Sequence, residues 1–131
     1  MFYECPKLET FESDLSSLED AGEMFRSCSS LRVFNANTPK LTLARYMFTD
    51  CLNLEEVTMD VSALKDWLFM FVNCKLNKAS TLNLISQFSA KDTTNKTVFI
   101  GVNKALEEDA DVIAALEQAA SKGWTITLQY R

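Results

Sequence analysis

A chain of 131 residues is long enough to bury one core but not two independent ones. With 47% hydrophobic and 24% charged side chains, its composition is ordinary for a soluble globular protein. A net charge of −5 without any Lys/Arg-rich amphipathic stretch argues against nucleic acid and anionic membrane as partners, and no apolar run approaches the roughly 20 residues of a spanning helix. The opening Met1–Pro6 lacks a basic region and an apolar core, so it does not read as a signal peptide.

The chain begins with a repeat. Met-Phe occurs at Met1-Phe2, Met24-Phe25, Met47-Phe48 and Met70-Phe71, a step of 23 residues, and Cys5, Cys28, Cys51 and Cys74 keep the same step. Leu8, Leu31 and Leu54 follow the first three cysteines, and then Phe11, Phe34 and Val57. Later columns hold Leu15, Thr38 and Val61, then Leu18, Leu41 and Leu64. A 23-residue unit is too short to bury its own apolar face, so equivalent columns must stack on one another. The spans Leu8–Phe11, Leu31–Phe34 and Leu54–Val57 read as short strands of a parallel sheet. The stretch around Met24-Phe25, preceded by Glu19–Glu23, suits a short helical or 3₁₀ turn on the opposite wall.

The phase breaks after Cys74, where Leu76 comes two residues later instead of three. Ala79–Phe88 carries Leu82, Leu84, Ile85 and Phe88 at helical spacing. Thr97–Val102 has the β-branched and aromatic composition of a buried strand. Leu106–Ser121 predicts a helix with Glu107, Glu108 and Asp109 near its start and Lys122-Gly123 as its stop. Trp124–Tyr130 reads as a last strand. These tail strands are expected to extend the repeat sheet in parallel and to cover the last repeat.

The M-F-x-x-C-x-x-L element, as in Met24–Leu31, and the S-D-L-S-S-L run of Ser13–Leu18 resemble the BspA-like class of leucine-rich repeats over residues 1–76. The second unit departs from that tail with Asn37-Thr38-Pro39-Lys40-Leu41. Lys122-Gly123-Trp124-Thr125 resembles endings that follow this repeat type in bacterial proteins. The expectation is an α/β leucine-rich-repeat solenoid over 1–76, closed by a helix-strand-helix-strand cap over 77–131 within one structural domain. The resemblance implies a non-catalytic adhesion or interaction module, the C-terminal part of a larger bacterial surface protein, at the cell surface or outside the cell. The rival expectation is a capping or spacer segment of a surface or virion-associated assembly with no ligand of its own.

Candidate chemistry is sparse. The chain has no histidine, no G-x-S-x-G, no phosphate-cradling glycine loop and no H-E-x-x-H, so neither an enzyme nor a cofactor is expected. Zinc ligands come in close pairs, whereas these cysteines fall one per unit and read as a ladder of buried thiols. Asp14, Asn37 and Asp60 form an oxygen-bearing column, read either as a weak calcium site or as closures of the turn after each strand. Trp67 and Trp124 read as core, and Tyr3 and Tyr46 as turn-side aromatics.

With Phe11, Phe34 and Val57 facing inward, the outward neighbours Thr10, Glu12, Val33, Asn35, Glu56 and Thr58, together with Arg32, are the candidate face for a protein or glycan ligand. Met1-Phe2 falls directly in repeat phase, so upstream repeats or another chain are expected to cover that end.

Overall fold

A computed structural model describes residues 2–131; Met1, the first member of the Met-Phe column, lies outside them. The fold is mixed α/β. β1 (Thr10–Asp14), β2 (Val33–Asn37) and β3 (Glu56–Thr58) form one parallel sheet in that order. β4 (Phe71–Leu76), β5 (Thr97–Val102) and β6 (Thr125–Tyr130) form a second parallel sheet, with α1 (Lys78–Ser89) and α2 (Ala110–Ser121) as the crossovers.

The 23-residue step is the register of the first sheet: Phe11 pairs with Phe34, and Phe34 with Val57. The strands start about two residues later than the apolar columns suggest, because pairing runs on through polar Glu12–Asp14 and Asn35–Asn37. Phe2, Phe25, Phe48 and Phe71 stack ring on ring, with centroids 5.2, 5.7 and 5.5 Å apart and planes within 16°. Phe11 and Phe34 stack beside them at 5.5 Å and meet Phe25 and Phe48 edge to face at 4.9 Å. Each fully buried ring contributes roughly 1.5–3 kcal/mol by leaving water, so this double column is the spine of the core.

The wall expected to be helical or 3₁₀ is a run of tight turns. Met24 N–H bonds to Ala21 C=O at 3.1 Å, and Cys28 N–H to Phe25 C=O at 3.1 Å. The third residue of each turn, Glu23 or Ser27, has φ near +60°, and so do Tyr46, Asp50 and Phe69 in later units. A left-handed residue every fourth position breaks any helix, and one at the third place of a turn is the type II pattern. Backbone bonds link one turn to the next at the 23-residue step, as from Phe25 N–H to Met47 C=O at 3.0 Å and from Phe48 N–H to Met70 C=O at 2.9 Å.

The tail strands are parallel, as expected, but do not extend the first sheet. In the fourth unit the turn wall straightens into β4, and β5 and β6 build on that wall. Asn73, at φ 63°, makes the bulge in β4. Gly101 of β5 passes so close that an added Cβ would lie 2.5 Å from the Cys74 carbonyl oxygen. Gln129 of β6 reaches across Gly101 and pairs twice with Asn73, accepting from its backbone N–H at 3.0 Å and donating to its Oδ1 at 2.9 Å.

The free edge of β3 is covered by α1. Ser80 Oγ accepts from Val57 N–H and Gln87 Oε1 from Val61 N–H, both at 2.9 Å, while Gln87 Nε2 donates to Met59 C=O at 3.0 Å. Lys91 Nζ donates to the carbonyls of Val61 and Ser62, at 3.1 and 2.8 Å. Polar side chains thus replace a further strand in satisfying the edge. The helix expected over Leu106–Ser121 begins later: Asn103 first caps a 3₁₀ turn at Lys104–Leu106, and Asp109 caps α2 by accepting from Asp111 and Val112 N–H at 3.0 and 3.1 Å. Trp67 and Trp124 are both buried, as expected, and gather around Phe88.

Candidate functional site

The candidate face is built by the pleat. Thr10, Val33 and Glu56 make one rung across the sheet, and Glu12, Asn35 and Thr58 the next. Thr10, Glu12, Asn35, Glu56 and Thr58 are exposed, and Val33 is half-buried. Arg32 stands exposed one residue before β2. Parallel strands about 4.8 Å apart bring the members of each rung within reach of one partner. None of the seven side chains makes a hydrogen bond or ion pair among the described residues. Thr58 also borders a shallow depression of about 230 Å³ with Ala79, Ser80 and Asn83.

The oxygen-bearing column beside this face closes turns. Asp14 Oδ1 accepts from Ser16 N–H at 3.1 Å, and Asp60 Oδ1 from Ser62 N–H at 2.8 Å. Asn37 donates to the same Asp14 oxygen at 3.5 Å, so two of the three side chains serve the local backbone and the third ties the first unit to the second. Among the described residues no three His, Cys, Asp or Glu side chains converge on a metal position.

All four cysteines are free thiols. Cys28, Cys51 and Cys74 are buried and Cys5 is half-buried. Each buried thiol donates to a phenylalanine carbonyl in the preceding turn: Cys28 to Phe2 at 2.8 Å, Cys51 to Phe25 at 3.0 Å and Cys74 to Phe48 at 3.2 Å. Burial raises all three pKa values, that of Cys51 to about 12. The thiolate is the nucleophile and metal ligand, so these groups are chemically quiet at neutral pH.

A second surface escaped the sequence reading in all but Tyr46. On the turn wall, Tyr46 and Phe69 lie 5.7 Å apart, and with Thr49, Val72 and Phe99 they line an apolar depression of about 290 Å³. Phe69 is 48% exposed, and Phe99 37%. The Arg26 guanidinium sits 5.2 Å over the Tyr46 ring. Tyr46 and Phe69 occupy left-handed backbone, which costs a non-glycine residue about 1–2 kcal/mol. The only signal was an aromatic just before Met47 and Met70, where Glu23 precedes Met24. Tyr3 stands on the same wall, 48% exposed.

No model of a known protein family matches this chain, and neither a curated protein nor a solved structure does. Among the described residues no helix is long and apolar enough to cross a membrane.

Proposed function

We propose that the chain is a non-catalytic interaction module, a leucine-rich-repeat solenoid of the BspA-like kind that meets a protein or glycan through the β1–β2–β3 face. The observation that carries this reading is the disengagement of Thr10, Glu12, Arg32, Val33, Asn35, Glu56 and Thr58. Six of them stand in two parallel rungs of the sheet and Arg32 lies one residue before β2, while Asp14 and Asp60 beside them are bonded locally. Presenting unengaged side chains on a fixed scaffold is the form of a recognition surface, because little ordering is lost on binding. The solenoid reading is supported by stacked rings and backbone bonds at the 23-residue step. Adhesion at a cell surface is the setting that the family resemblance implies.

The test is capture of ligands on a glycan array and on a panel of immobilised surface proteins, with the wild-type chain and the triple variant E12K/R32E/E56K. Every ligand the wild type captures should bind the triple variant at least about tenfold more weakly, a loss of about 1.4 kcal/mol, at an unchanged melting temperature. Equal capture by both proteins rejects this face.

The covered edge of β3 favours a second reading, a cap or spacer for a surface or virion-associated assembly with no ligand of its own. Capture of nothing by the wild type points to that role.

A further inference from the structure

We propose that the turn wall holds a second binding site, for an acidic saccharide whose carboxylate-bearing pyranose ring rests on Phe69 and Phe99. Where β5 builds onto the wall, a cleft of about 440 Å³ is left between residues 65–69 of the third unit and residues 95–99. It adjoins the apolar depression beside Tyr46, and Phe69 and Phe99 line both.

The polar side chains of this cleft are not used by the fold. Lys65, Asn95 and Thr97 are exposed, and Lys65 Nζ, Asn95 Nδ2 and Thr97 Oγ1 have no partner among the described residues. Asp66 is the sole acidic residue lining the cleft, and both its oxygens are engaged. Its Oδ2 accepts from Arg45 Nε at 3.0 Å and its Oδ1 from Leu68 N–H at 3.1 Å. Lys65 is therefore the uncompensated charge of the lining, with three donor-bearing side chains, Arg45, Asn95 and Thr97, around the same cleft. A ligand that answers them carries a negative charge and several hydrogen-bonding groups.

The aromatic residues supply the apolar half of the match. Phe69 is held in left-handed backbone, at φ 53°, and the Thr49 hydroxyl fixes it there by donating to its carbonyl. A phenylalanine half-exposed on strained backbone serves the core poorly, and such strain persists where it positions a side chain for a ligand. The C–H bonds on one face of a pyranose are slightly positive and lie well on the electron-rich face of an aromatic ring. An added peptide strand, by contrast, gains its affinity from main-chain pairing, and the backbone here has little left to pair. Tyr46 N–H is bonded to the Leu68 carbonyl at 2.9 Å, Leu68 N–H to Asp66, and Thr97 N–H to Asn95 Oδ1 at 3.2 Å.

The test is an NMR titration of the full, isotope-labelled chain with the methyl glycosides of glucuronic, galacturonic and N-acetylneuraminic acid. Methyl glucoside is the uncharged counterpart. The indole N–H of Trp67, bonded to the Thr97 carbonyl at 2.9 Å, is a reporter within the lining. The expected result is saturable shifts of that signal and of the Phe69 and Phe99 amides with at least one acidic sugar, bound about tenfold more tightly than the glucoside. Lys65→Gln should reduce that preference to within about twofold, and Phe69→Ala should weaken binding of the acidic sugar about fivefold. No shift at the cleft with any acidic sugar, equal affinity for the glucoside, or undiminished binding by Lys65→Gln would each overturn the proposal. So would tighter binding of a capped peptide with one aromatic residue between two carboxylates, which would give the cleft to a protein partner. The variant E12K/R32E/E56K should titrate like the wild type, so failure here and failure of the β1–β2–β3 face are distinguishable. Loss of the shifts in that variant would move the sugar to the other face.

Discussion

Two buried threonines with opposite roles show how much a single hydroxyl does in this core. Thr38 stands in an apolar column between Leu15 and Val61, and its Oγ1 both donates to the Asp60 carbonyl and accepts from the Asp60 N–H, each at 3.0 Å. Thr81 in α1 is equally buried, but its Oγ1 has no partner among the described residues. Replacing Thr38 with valine strands two backbone groups and should cost about 1–3 kcal/mol in urea unfolding, whereas Thr81→Val should be neutral or stabilising. Equal costs would mean that packing, not hydrogen bonding, dominates both sites. The cysteines give a dependence on pH. Burial raises the folded pKa of Cys51 to about 12 from 9.0, with the neighbouring Cys28 as a smaller cause. Its neutral thiol is therefore favoured by the fold. The associated stability is fully present below pH 9 and is lost as pH rises towards 12, where the unfolded chain has released a proton that the native state still holds. Between those limits stability should fall by about 1.4 kcal/mol per pH unit for each such thiol, and Cys51→Ala should flatten the slope by that amount. An unchanged slope in the variant would place the alkaline loss in other groups.

Among the elements, the junction of β4 with β5 is the tightest. Gly101 is there because no Cβ fits against the Cys74 backbone, and the space above it is used by Gln129 to hold the Asn73 bulge. Gly101→Ala should destabilise the protein by about 3 kcal/mol, since backbone, unlike a side chain, has little room to give. A midpoint in urea equal to that of the wild type would show that the two strands can part. The elements also differ in how far the sequence revealed them. β5 lies where its β-branched run predicts, over Thr97–Val102, because Asn95 and Asn103 punctuate it on both sides. The strands of the first sheet were found by their inward Phe11, Phe34 and Val57, but their ends were not, since polar Ser13, Asp14 and Asn37 pair through backbone alone. The left-handed turns were illegible because Glu23, Tyr46 and Phe69 stand where glycine or asparagine would have marked them. The wall joined by β5 and β6 has no local signature either: it depends on β4 straightening and on α1 already occupying the edge of β3.

For the molecule as a whole, periodicity made the core readable, and its absence hid the aromatic wall. Alternation along β1, β2 and β3 was enough to name the candidate face, because a pleat leaves only two directions for a side chain. Phe69 and Phe99 come from a turn and from a tail strand 30 residues apart, and only the completed second sheet sets them side by side. The stacking of Phe2, Phe25, Phe48 and Phe71 has a hereditary consequence as well. A duplication or loss of one whole 23-residue unit leaves every ring resting on a ring and every thiol beneath a carbonyl. An insertion that is not a whole number of units keeps the columns only where it loops out of the stack. Lengths open to this architecture therefore form a ladder of discrete sizes, one rung for each whole unit gained or lost, although the units share little beyond their column residues.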